Sequence, residues 1–331
     1  VCSSDLDQSS YGLVSGVNAT VTRSYDDWLP SANLAVYPTE STIVRLAVAD
    51  VMTRPTLGSL TPGGSADGFN YRVTSGNPFL DPYRARNYDL SLEWYFAPQA
   101  VLSVAVFKKD VSTFTQSASI TGATFAQTGL PASVLSPASP AALNPAQQLE
   151  PRWTLSTTVN GSGAKLKGIE LAAQVPFSAF TDGFLSKFGV LANATFIDSN
   201  ATFNLQGAAV APGGALQNVV VNNTLSNVTK KAFNGTLYYD DGKFSARGML
   251  SYRGRYHEGA SGTGNILEGY GATTNFDASV RYKLTEWMEV SVEGNNLLDT
   301  YRYRFTDFDA DRNYENNHFG RTILFGARFK M

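Results

Sequence analysis

Asp307, Asp309 and Asp311 alternate in the way that lets carboxylates converge on one hard cation, which resembles the start of a calcium loop. The sixth position of such a loop is here Arg312 rather than Gly, and the twelfth is His318 rather than Glu, so a solvated acidic loop is expected and no metal is assigned. His257 and His318 are too few for a histidine metal site. Cys2, the only cysteine, excludes an intramolecular disulfide or a cysteine zinc cluster. Nucleophilic catalysis needs a base beside a nucleophile. His257 adjoins Glu258 in a Gly-rich stretch and His318 follows Asn316-Asn317, and neither belongs to such a constellation, so no catalytic residue and no enzyme are expected. Recognition chemistry remains. Phe69, Tyr71, Phe79 and Tyr83 offer faces on which a sugar or an aromatic ligand stacks. Arg253 and Arg255 offer cations to an anionic ligand or to an internal carboxylate. Both sets have an alternative use in packing and ion pairing within the protein.

The elements that must position these residues are strands. From Arg321 to the end, Ile323, Phe325, Ala327, Phe329 and Met331 share one face, and Thr322, Leu324, Gly326, Arg328 and Lys330 share the other. The same two-residue period runs through Ala32–Val36, Val44–Val48, Tyr88–Phe96, Phe233–Tyr239, Phe244–Tyr252, Phe276–Leu284 and Met288–Val292. Less regular strands are expected near 101–115, 154–175 and 188–203, and a partial one near 11–23. The sum is about eleven strands. Short connections (38–41, 98–100, 240–243 and 285–287) alternate with long ones near 52–84, 116–152, 204–227, 257–269 and 305–319. The short connection at 176–187 is bulkier. The segment 116–151, rich in Ala, Ser and Pro, reads as a mobile external loop.

The chain has 331 residues, of which 43% are hydrophobic and 16% charged, against roughly 25% charged in soluble domains. No apolar run of ~18 residues exists for a transmembrane helix. A net charge of −2 gives no basic field for nucleic acid. Charged side chains on the lipid side of a barrel cost roughly 2–4 kcal/mol at mid-membrane. The face bearing Asp89, Glu93, Arg247, Arg253, Asp277, Arg281, Glu289, Glu293 and Arg328 is therefore expected to line a lumen. The opposite face carries Trp94, Phe96, Tyr239, Phe244, Tyr282, Trp287 and Phe329 near the short turns, as an interfacial girdle requires. A soluble sandwich would have short connections at both ends. The expected fold is an all-β, antiparallel up-and-down transmembrane β-barrel, incomplete at about eleven strands, with long extracellular loops and short periplasmic turns. An open sheet leaves unpaired backbone groups in hydrocarbon, so a half-barrel is not expected to span a membrane alone.

An ordered set of motifs resembles the C-terminal half of a TonB-dependent outer-membrane receptor of the large proteobacterial nutrient-uptake subfamily. These are Leu29-Pro30-Ser31-Ala32-Asn33-Leu34, Thr53-Arg54-Pro55, Gly76-Asn77-Pro78-Phe79-Leu80-Asp81-Pro82, Asn87 to Tyr95, Val104 to Asp110, Lys167-Gly168-Ile169-Glu170-Leu171, Asn295-Asn296-Leu297-Leu298-Asp299-Thr300-Tyr301 and Gly320-Arg321-Thr322. The resemblance covers the chain from about residue 25. It implies a bacterial outer-membrane location and active import of a scarce nutrient, such as a carbohydrate or a siderophore. It implies as partners the TonB energy-transducing complex, reached through an N-terminal plug not found in this chain, the barrel assembly machinery, the lipid bilayer and a small ligand. No cofactor is implied. Phe325, Phe329 and Met331 would form the assembly signal, with Met331 where the family usually has Phe or Trp. A passive porin is the alternative function. Residues 1–24 are expected to be a truncated N-terminal segment, with 1–6 reading as a translated sequencing adapter, and 25–331 the barrel part.

Overall fold

The computed structural model describes residues 2–3, 6–10, 19–161, 163–206, 218–258, 267–306 and 311–330. Eleven strands among them form one antiparallel meander: β1 (Ser31–Thr39), β2 (Thr42–Thr53), β3 (Tyr83–Ala97), β4 (Ala100–Ala123), β5 (Ala164–Pro176), β6 (Phe188–Gln206), β7 (Lys231–Asp240), β8 (Phe244–Arg253), β9 (Thr273–Lys283), β10 (Met288–Asn295) and β11 (Thr322–Phe329). Each pairs with its sequence neighbour. Among the described residues β1 and β11 each pair on one side only, so the sheet is unclosed. The last strand pairs with β10 and, among the described residues, keeps its outer edge open, as expected of a barrel that is incomplete at about eleven strands.

Residues directly opposite in an antiparallel pair lie on the same face. The register can therefore be followed across the whole sheet. At one level it joins Val36, Val44, Leu92, Val104, Leu171, Ala194, Phe233 and Tyr252. Further along it joins Val280, Val292 and Phe325. Asp89, Glu93, Arg247, Arg253, Asp277, Arg281, Glu289, Glu293 and Arg328 all fall on the other face. On that face Arg45 Nε donates to Glu93 at 2.9 Å and Arg281 Nη2 to Glu293 at 3.2 Å. The apolar face is widely exposed, with Leu34, Leu92, Leu171, Leu237, Leu250 and Phe325 all open. This is the reverse of a soluble domain, which buries such a face.

The short turns follow from their residues. Gln99 takes φ +61° and Gly242 φ +88°, the left-handed region that tight turns require. Asp241 Oδ1 accepts the Lys243 and Phe244 amides at 2.9 and 2.7 Å, which draws its carboxyl below the usual range. At this end the aromatic rings meet one another: Trp94 with Phe96 at 5.2 Å, Phe96 with Phe180 at 5.7 Å, Phe188 with Tyr239 at 5.0 Å and Trp287 with Phe329 at 6.0 Å between centroids.

The long-loop end differs from expectation. The segment expected as a mobile loop from 116 begins as a continuation of β4, which runs to Ala123. The stretch 154–175, expected as one strand, is two: Trp153–Gly161 and β5, separated at Gly163 with φ +83°. Both run antiparallel to the single 24-residue β4, so this hairpin projects well past the ~9–11 residues that cross a bilayer. The region 305–319, expected as a loop, contains strand Arg312–His318, paired with Tyr301–Thr306. Near the N-terminus, Leu6–Ser10 pairs with Ala19–Arg23.

Candidate functional site

Two folded caps rise from the long-loop end. In the first, residues 64–75 form a hairpin that adds to Trp153–Gly161. Trp153 is fully buried among Val73, Ala123, Phe125, Leu135 and Ala141. Its Nε1 donates to the Gln147 carbonyl at 3.2 Å. Tyr71 meets it edge-on at 5.4 Å, donates its hydroxyl to Gln147 Oε1 at 2.8 Å and carries the Arg152 guanidinium 4.7 Å above its ring. Phe125 adds a third ring at 4.8 Å. Apolar Ala and Leu residues of 123–143 therefore have a core to enter. Their scarcity of charge is a packing signal.

The second cap is a four-stranded sheet of Tyr256–His257, Gly269–Tyr270, Tyr301–Thr306 and Arg312–His318. Arg304 is its hub, with Glu258 at 2.7 Å, Glu315 at 3.0 Å and the buried Glu268 at 3.7 Å. Hydrogen bonds from Asn317 and then from Arg304 hold the Glu315 carboxyl below its ordinary range. Burial, with Glu258 beside it, pushes the Tyr270 phenol up. The cap closes on the sheet through Asn296 (φ +53°). The Asn296 amide donates to Asp277 Oδ1 at 2.7 Å, its side chain donates to the Gly320 carbonyl at 3.0 Å, and its Oδ1 accepts the Thr300 amide at 2.9 Å. One residue thus ties the outgoing and returning ends of the loop to β9.

Between this cap and the charged face of β8, β9 and β10 lies a polar vestibule of about 550 Å³. Arg253, Asn275 and Asp277 line it from the sheet, and Tyr256, Tyr270 and Arg302 from the cap. Arg253 lies 3.6 Å over the Tyr256 ring, the two tyrosine rings are 5.5 Å apart, and Arg302 lies 3.8 Å over Tyr270. A guanidinium stacked on an aromatic ring keeps its N–H edge free for oxyanions. Arg253 uses part of that edge on the Asn227 carbonyl at 3.1 Å. The arrangement suits a ligand with anionic oxygens on a flat body.

The expected candidates are spread over both caps and the sheet strands beneath them. Tyr71 belongs to the Trp153 core. Tyr83 packs by the cluster of Phe114 and Phe203 and shares its hydroxyl with Thr115. Phe69 and Phe79 are exposed on the first cap. Arg255 lies 4.7 Å over the Phe305 ring and 3.5 Å from Asp311. Only Arg253 of this set lines the vestibule. Asp311 is thus engaged by an arginine, while Asp307 and Asp309 lie outside the described residues. Among the described residues no group of three or more His, Cys, Asp or Glu side chains could hold a metal ion. Phe325 and Phe329 are exposed on the apolar face, and Met331 lies outside the described residues. Tyr256, Tyr270 and Arg302 were not singled out in the sequence. The alternation Tyr301-Arg302-Tyr303-Arg304 was the available signal.

A family model described as TonB dependent receptor-like, beta-barrel matches residues 4–297. No curated protein matches the chain. Solved structures do. The siderophore receptor PiuA from Acinetobacter baumannii matches with a TM-score of 0.63 and 16% identity, over 97% of this chain and 38% of its own. The ferric-catecholate import receptor Fiu from K12 E. coli matches at 0.57 and 15%, over 99% of this chain and 40% of its own. The ferric enterobactin receptor PfeA from Pseudomonas aeruginosa, in complex with BCV-L6, matches at 0.56 and 15%, over 92% and 40%. The chain spans about two fifths of the length of these receptors.

Proposed function

Because the chain belongs to the TonB-dependent receptor β-barrel family of the bacterial outer membrane, we propose that its eleven strands are a barrel sector of a receptor that imports a scarce nutrient with energy delivered through TonB. The apolar face meets lipid and the charged face lines the lumen. A charge on the lipid side would cost roughly 2–4 kcal/mol at mid-membrane, and the membrane-depth stretch of that face carries none from Trp94 to Tyr88 or from Leu102 to Val106. The short turns are periplasmic and the two caps external.

The observation that carries the ligand reading is the Arg253–Tyr256–Tyr270–Arg302 stack lining the vestibule between cap and lumen face. It favours an anionic, oxygen-rich ligand, a class that includes metal chelates of the kind named for the structural matches and acidic saccharides. Hydrogen bonds to charged groups contribute about 1.5–3 kcal/mol. Arg302→Ala is therefore expected to weaken ligand binding roughly 10- to 150-fold. The test is TonB-dependent growth on a panel of iron chelates and acidic oligosaccharides, with wild type and Arg302→Ala present in equal amounts in the outer membrane. Import of one compound, lost in the variant and in cells without TonB, is the expected result. Wild-type import by the variant would remove the vestibule from the reading. Uptake that persists without TonB, with steady conductance in a planar bilayer, would replace import by a porin.

A further inference from the structure

Lys108 on β4 and Lys167 on β5 stand directly opposite each other. Both are on the lipid-facing side, in line with Val106 and Ile169. Like charges placed opposite in an antiparallel pair repel. Lys165 lies two residues beyond Lys167 on the same side, and Lys231 on β7 is opposite Phe196 of β6. All four lysines are exposed. Two carboxylates share the patch: Asp110, 2.7 Å from Lys108, and Asp198, 3.4 Å from Lys167, where both partners are 70% exposed. Neighbouring Arg86 on β3, by contrast, is held by both oxygens of Asp50 at 2.7 Å. On β4, β5 and β7 four lysines thus stand against two carboxylates, which leaves the patch positive.

The height of the patch is fixed by the strands. Lys108 is eight residues above Ala100 at the periplasmic turn, a climb of roughly 20 Å for a strand tilted about 40°. That is about 5 Å short of the top of an apolar band about 25 Å tall, a gap that the four-carbon lysine stem spans by reaching up to the headgroups of the outer leaflet. Below it the same strands carry an apolar trough of about 550 Å³, floored by Ala173, Ala192, Ala194 and Gly235 and walled by Leu102 and Leu250. A Cβ added at Gly235 would meet nothing within 4 Å. Basic groups at headgroup height above an apolar trough are complementary to one molecule with both parts.

We propose that this face binds an anionic, phosphate-bearing lipid of the outer leaflet, its phosphate between Lys108, Lys167 and Lys231 and an acyl chain in the trough. A basic residue near a membrane surface contributes about tenfold or less to anionic-lipid attraction, and the effect is screened by salt. The test is retention of a phosphate-bearing lipid by the receptor in neutral detergent at low salt, measured by native mass spectrometry against a zwitterionic lipid of the same chains. Lys108→Gln with Lys167→Gln is expected to lower retention of the anionic lipid roughly 10- to 30-fold and to leave the zwitterionic lipid unchanged. Lys109→Gln removes the same charge from the lumen-facing side of the same strand and is expected to change neither. Equal retention by the double variant, or an equal loss in Lys109→Gln, would overturn the proposal. So would full competition by inorganic phosphate at the lipid's concentration, which would mark a simple anion site. The assay needs no nutrient ligand and no TonB, so its outcome is independent of the import reading.

Discussion

Trp153→Ala should release the first cap while leaving the membrane sheet in place. The indole is fully buried, and burying a ring of this kind removes up to ~250 Å² from water. At ~25 cal/mol per Å² the transfer contribution approaches ~6 kcal/mol, an upper value because the open cap retains some contacts. Large-to-small changes at aromatic core positions measure about 3–5 kcal/mol. The loss also strands the Gln147 carbonyl, which accepts from Trp153 Nε1, and takes the edge-on partner from Tyr71. A local change of ~3 kcal/mol raises the opening constant of the cap about 150-fold. Hydrogen exchange of the receptor in detergent micelles reads this directly. Amides of 72–75 and 154–156, paired in the cap, should lose at least 100-fold in protection, and those of β5 to β9 should not change. Unchanged protection in the cap would refute the core assigned to Trp153. Equal loss throughout the sheet would refute the independence of cap and sheet.

Four further outcomes are expected. Ala192→Arg, on the apolar face, should cost roughly 2–4 kcal/mol in reversible unfolding from liposomes, whereas Asn193→Arg on the next residue and opposite face should cost far less. Gly269→Ala should disorder the second cap, because a Cβ there would be 2.1 Å from the Tyr256 carbonyl oxygen and 3.0 Å from the His257 Cα; loss of exchange protection at 301–306 is the readout. Asn296→Ala should loosen the same cap from β9 by removing the bonds to Gly320 and Thr300, seen as proteolytic nicking within 297–321. Glu315 is held below its ordinary pKa, so its contribution is complete above the unfolded carboxyl value of about 4.3 and is lost as pH falls through the folded one. The second cap should therefore loosen in acid, and Glu315→Gln should flatten that dependence in exchange measured from neutral to strongly acidic pH.

The sheet was legible because two solvents act on it. Hydrocarbon on one face and water on the other force a two-residue period. Strands such as Tyr83–Ala97, where Asp89, Ser91 and Glu93 interleave with Leu90, Leu92 and Trp94, can therefore be read off one sequence. The caps were less legible because a strand such as Arg312–His318 has water on both sides. Arg312–His318 reads Arg-Asn-Tyr-Glu-Asn-Asn-His and has no period. Trp153–Gly161 merges with β5 into one apparent strand, since only the φ of Gly163 marks the break. The vestibule shows the same limit. Arg253 was visible at the end of a clean strand, but its partners Tyr256, Tyr270 and Arg302 come from segments that only the folding of the cap brings together.

This division bears on how such a barrel acquires a ligand. The lipid-facing residues answer to hydrocarbon, which asks only for apolar groups, so many sequences suffice. That is consistent with 15–16% identity over a shared fold. The cap residues answer to one another. Arg304 satisfies Glu258, Glu268 and Glu315 from three different segments, and loss of the arginine would leave buried Glu268 without that cation. The second cap is therefore a cooperative unit whose geometry is fixed by its own ion pairs, joined to the membrane sheet through Asn296 and Asp277. Substitutions at Arg302, which faces the vestibule and makes none of the three Arg304 ion pairs, should retune ligand preference while the cap stays folded. Substitutions at Arg304 should abolish binding of any ligand by unfolding the cap. Comparing the two variants by ligand affinity and by exchange protection of 301–306 separates these roles, and equal loss of protection in both would show that the vestibule cannot be changed independently of its frame.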